Sequence, residues 1–141
     1  MTVREACEQH WEAHKSDCNK FVKAVASALG VPLPEDLDAD GIVAHIRASA
    51  DYAKLNGGAD AKSRAEAGKF VIAGLMAADH DPPRAHGHVV VVVDGDLDPT
   101  HKKYPHAYWG SLNGVGKKDE TLNFAWVKAD RDNVEYHARD F

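Results

Sequence analysis

Apolar residues recur at helical spacing through the first half of the chain and at strand spacing through the second. Val3, Cys7 and Trp11 stand four apart, with Ala6 and His14 beside them, which predicts a helix over residues 2–15. Cys18, Phe21, Val22, Val25, Ala26 and Leu29 form a second buried stripe. Ser16 or Asp17 supplies its cap and Gly30 its left-handed stop, after which Val31-Pro32-Leu33-Pro34 leads away extended. A third helix, roughly 40–54, starts at Asp38 or Asp40 and carries Ile42, Val43, Ile46 and Ala50 on one face. Asn56-Gly57-Gly58 breaks it, and a short Ala-rich helix follows at about 59–67.

Strands then come in succession: Phe70 to Met76, Gly87 to Asp94, His106 to Ser111, Leu122 to Lys128 and Val134 to Arg139. Five consecutive valines in the second of these predict a central strand covered on both faces. Turn chemistry separates the strands at Asp81-Pro82-Pro83, Asp94-Gly95-Asp96, Asn113-Gly114 and Asp130-Arg131-Asp132-Asn133. Helices first and strands second predict an α+β domain of N-terminal helices packed on an antiparallel sheet. Two long polar loops, about 77–86 and 95–105, flank the valine strand and are the natural place for a site.

Composition narrows the class. With 141 residues and no internal repeat, one domain spanning 1–141 is expected. Apolar residues at 44% and charged residues at 28% exclude wholesale disorder. A net charge of −5 without a basic run argues against a nucleic-acid partner. The longest strongly apolar run, Val89 to Val93, is too short to span a membrane. The polar, acidic N-terminus lacks the pattern of an export signal, so synthesis in a reducing cytoplasm is expected and a Cys7–Cys18 disulfide is not.

The two cysteines differ in position. Cys18 falls in the first turn of its helix, directly after a cap, where free N–H groups and the helix dipole favour a thiolate; it also opens a buried stripe, where a cysteine would be plain core. Cys7 lies mid-helix on the apolar face and reads as packing. His88 begins the valine strand after Gly87, which would permit a close backbone approach. A base on a strand beside a cysteine at a helix start is the Cys–His arrangement of papain-like enzymes. His86 and His88, with Asp79, His80 and Asp81 nearby, are the competing metal reading, weakened by the lack of a third ligand at recognisable spacing; no metal and no cofactor are expected. Tyr104, Tyr108, Trp109 and Trp126 either wall a cleft or pack the sheet, and His106 and Asn113 are candidates to orient an imidazole.

Four segments in order, DCNKFV at 17–22, VIAGL at 71–75, GHVVVVV at 87–93 and YPHAYWGSLNG at 104–114, resemble the first family of peptidoglycan amidase effectors of bacterial type VI secretion, compact members of the papain-like NlpC/P60 superfamily. ALGVPLP after the cysteine helix and ADRDNVEYH near the C-terminus fit the same pattern, so the resemblance runs from about Cys7 to Tyr136. It implies a papain-like fold in which Cys18 is the nucleophile and His88 the base. The third element would lie on the next strand, as a backbone carbonyl near Trp109 or as a side chain such as His106. Where the superfamily usually carries Ser-Gly after the nucleophile, this chain has Asn19-Lys20. Asn19 offers a backbone N–H to an oxyanion, and Lys20 and Tyr108 are candidates for substrate contact, with Lys102 and Lys103 at the rim.

The resemblance further implies hydrolysis of an amide in peptidoglycan stem peptides, between D-glutamate and meso-diaminopimelate. Delivery by the type VI machinery into the periplasm of a Gram-negative target and a cognate immunity protein would go with it. Three other readings remain at this point: the same dyad acting on a protein as a protease or deamidase, a non-catalytic binding module, and a metal-binding protein.

Overall fold

The computed structural model describes residues 1–141. Helix α1 (Val3–His14) opens with a capping box: Thr2 Oγ1 accepts from Glu5 N at 3.1 Å, and Glu5 Oε1 accepts from Thr2 N at 3.0 Å. Asp17 caps α2 (Cys18–Ala28) through Lys20 N, and Asp38 caps α3 (Ala39–Ala48) through Gly41 N. Gly30, at φ 78°, provides the left-handed stop after α2. A two-residue strand β1 (Ala53–Lys54), helix α4 (Gly58–Glu66) and strands β2 (Phe70–Leu75), β3 (His88–Val92), β4 (His106–Trp109), β5 (Lys117–Thr121) and β6 (Glu135–Arg139) complete the chain.

The six strands form one antiparallel sheet in the order β1-β6-β2-β3-β4-β5. Period-two alternation along β3 sends Val89 and Val91 into a core shared with α1, α2 and α3, and Val90 and Val92 into a second core beneath α4 and the 122–134 segment. The valine strand is therefore central and covered on both faces, and the α+β arrangement is consistent with a papain-like fold.

Three elements differ from the sequence reading. Residues 122–128 are not a strand. Leu122 and Trp126 are buried while Phe124 between them is exposed, which is the spacing of a helical turn, and Leu122–Phe124 form a 3-10 turn. The fifth strand lies earlier, at Lys117–Thr121, a charged edge strand without an apolar pattern to announce it. The third helix stops at Ala48, because Ser49 turns extended (ψ 130°) and frees the chain to reach β1 beside β6.

Candidate active site

Strands β3 and β4 pair only at Val91↔Tyr108 and Val92↔Ala107. Beyond Val91 they part, and a cleft of about 380 Å³ opens at that end of the sheet. Cys18 reaches it from the helical layer and His88 from the first residue of β3. Ser111, Leu112 and Asn113 form one wall, Ala125 and Trp126 another, and His80, Arg84 and His86 from the 77–86 loop a third.

Specific contacts hold these walls. The α1–α2 corner is stapled to the β4–β5 loop: Ser111 N and Gly116 N both donate to Lys15 O, at 3.1 and 2.8 Å, and Trp11 Nε1 donates to Trp109 O at 3.0 Å. Gly110 is needed because a Cβ there would strike the carbonyls of His14 and Asp17. At Gly87 the close neighbour is the Asp40 carboxylate, whose Oδ1 also accepts from Ala77 N at 2.8 Å. The glycine beside His88 thus makes room for α3.

Cys18 is 1% exposed. Its thiol is a free one, and burial pushes its pKa up, with the Asp17 carboxylate adding to the effect. Backbone N–H groups of Val89, Asn19 and Cys18 itself pull the other way without prevailing. His88 is pushed down to about 4, first by burial and then by His80 and Arg84. The Trp126 ring stands edge-on to the imidazole, centroids 5.0 Å apart at 65°. At neutral pH the site therefore holds a thiol and a neutral imidazole. The thiolate favoured by the helix-start argument loses to desolvation. Cys7 is fully buried and its thiol is also pushed up by burial.

Other candidates fall away from the cleft. Lys20 lines a separate groove with His10, His14 and Lys23, because two helical residue steps, about 200° of turn, carry it to the far side of α2 from Cys18. Lys102 and Lys103 line another groove beside Tyr104 and Arg131. Tyr108 is buried in the helical core, its hydroxyl bonded to Glu8, and Trp109 packs in the opposite core with its carbonyl taken by Trp11. His106 turns to Asp119, Nδ1 to Oδ1 at 3.1 Å. Asn113 is the orienting candidate that does line the cleft, and Asn19 contributes its backbone N–H to the sulfur. No three His, Cys, Asp or Glu side chains converge to hold a metal ion.

No protein-family model matches the chain. It is 35% identical over 145 residues to the peptidoglycan amidase Tse1 of Pseudomonas aeruginosa (strain ATCC 15692), covering 96% of this chain and 87% of that protein. The chain belongs to the Tse1 family of peptidoglycan amidases. This is the effector family that the four motifs resemble.

Within this Tse1-family chain, the cleft includes one charged residue that the sequence pattern did not single out. Arg84 is the only lysine or arginine in the 77–86 loop, and that was the available signal. Trp126, first grouped with aromatics of the sheet, proves to be both a core residue and the partner of His88.

Proposed function

We propose that the protein is a cysteine amidase that hydrolyses the D-glutamate–meso-diaminopimelate bond of peptidoglycan stem peptides. One observation carries this reading: Cys18 and His88, far apart in sequence, line one cleft in a chain of the Tse1 family. The neutral imidazole takes the thiol proton as sulfur attacks the carbonyl, so no thiolate need persist in the buried site. The amides of Cys18 and Asn19, in the first turn of α2 ahead of the Lys20 N–H that Asp17 caps, lie beside the sulfur and would donate to the developing oxyanion. His88 then passes its proton to the departing amine, and water hydrolyses the thioester to release the carboxylic acid and restore the thiol. In this reading the protein acts as a toxin in the periplasm of a target cell, reaches it through the type VI machinery and is neutralised in its producer by an immunity protein.

The test is mass spectrometry of fragments released from purified sacculi. Wild-type protein should release fragments cut at the D-glutamyl bond, and Cys18→Ala should release none. Cleavage that survives in Cys18→Ala refutes the cysteine mechanism. Cleavage of proteins in place of sacculi would favour the protease reading.

A further inference from the structure

Arg84 is the only permanently charged side chain lining the cleft. The protein carries 22 acidic residues against 17 basic ones, yet no carboxylate lies within ion-pair range of this guanidinium, and it donates no hydrogen bond. Of the two acids in the same loop, Asp79 lies 3.7 Å from Arg47 and Asp81 makes no ion pair with Arg84, while Asp81 N donates to the fully buried Asp130 at 2.7 Å.

The loop that presents Arg84 is anchored along its length. Ala77 N donates to Asp40, Arg84 N donates to Ala77 O at 3.0 Å, and the buried His80 donates from Nδ1 to Met76 O at 2.9 Å. An unpaired cation on an anchored loop, facing the cleft in an otherwise acidic protein, is arranged for an anion that arrives from outside.

We infer that Arg84 forms a carboxylate subsite that binds the acidic group flanking the scissile amide. This rests on the amidase reading above. If the bond cut is that of a γ-linked glutamyl residue, its free α-carboxylate sits beside the amide and is the group to be held. A guanidinium fork matches a carboxylate with two parallel N–H···O bonds, so it both binds the substrate and sets which amide faces Cys18. The same peptide with that carboxylate converted to a carboxamide would lose the charge while keeping the shape.

The experiment measures calorimetric binding of a synthetic stem peptide and its glutamyl carboxamide analogue to the full-length Cys18→Ala protein, with Cys18→Ser as a second background. Measurements are made with and without Arg84→Gln or Arg84→Lys. The carboxylate peptide should bind about 10- to 100-fold more tightly than the carboxamide, the range of one charge-assisted contact. Arg84→Gln should shrink the preference to less than about threefold, and Arg84→Lys should keep part of it. An undiminished preference in Arg84→Gln, or no preference in the parent, overturns the subsite. The two proposals fail separately. Sacculus digestion by wild type without carboxylate preference removes only the subsite. Carboxylate preference without sacculus digestion keeps the subsite and removes the peptidoglycan substrate.

Discussion

Lowering the pH from 7 to 4 probes the burial of His88 directly. In the unfolded chain its imidazole titrates near 6.5, whereas in the folded protein burial, His80 and Arg84 hold it down to about 4. Above about pH 6.5 both states are neutral and His88 leaves stability untouched. As the pH falls from about 6.5 to about 4, the unfolded state takes up the proton first, so folding stability declines, and below about 4 the effect levels off. At about 1.4 kcal/mol per tenfold in proton affinity, the gap is worth about 3 kcal/mol, a sizeable part of the 5–15 kcal/mol that holds a typical domain. Urea unfolding of wild type and His88→Gln at half-unit pH steps isolates the contribution, because the other titrating groups are common to both. The wild type should lose about 3 kcal/mol more than the variant between pH 7 and 4. Parallel stability curves, or an NMR titration placing His88 near 6.5, would refute the argument that the site is desolvated.

Other tests address the remaining residues. The acid limb of kcat/KM should fall near pH 4, the titration of the free base, and a limb near 6.5 would contradict the desolvation of the imidazole. Cys7→Ala should cost on the order of 1 kcal/mol in chemical denaturation with activity retained, since Cys7 is fully buried in the core and away from the cleft. Asp98 is 2% exposed and accepts from the backbone N–H groups of His101, Lys103 and Tyr104, which hold its carboxylate well below the usual range; Asp98→Ala should cost about 3 kcal/mol and raise hydrogen exchange across residues 98–104. Trp126→Ala should raise the His88 pKa toward 6.5 by admitting water and lower kcat more than it raises KM, read by NMR titration and steady-state kinetics.

Local order was legible along the chain because it depends on local rules. The stripe Cys18–Phe21–Val22–Val25–Ala26 has helical period and an Asp cap, and the valine run has no polar face to show to water, so α2 and β3 follow from spacing and solvation alone. Cys18 and His88 could be singled out for the same reason, one by its cap and the other by its strand start. What failed was local too: the edge strand Lys117–Thr121 has no apolar alternation, and the apolar run 122–128 follows a turn instead of a pleat. Tertiary structure alone decided the rest. Only the parting of β3 from β4 creates a cleft, and only the 77–86 loop brings Arg84 to it while α2 carries Lys20 to another groove. Protonation states belong to the same class. A helix start by itself favours a thiolate at Cys18, but the charge of a group depends on all the atoms that exclude water from it. Those atoms come from α2, β3 and the Trp126 segment, which meet only in the folded chain.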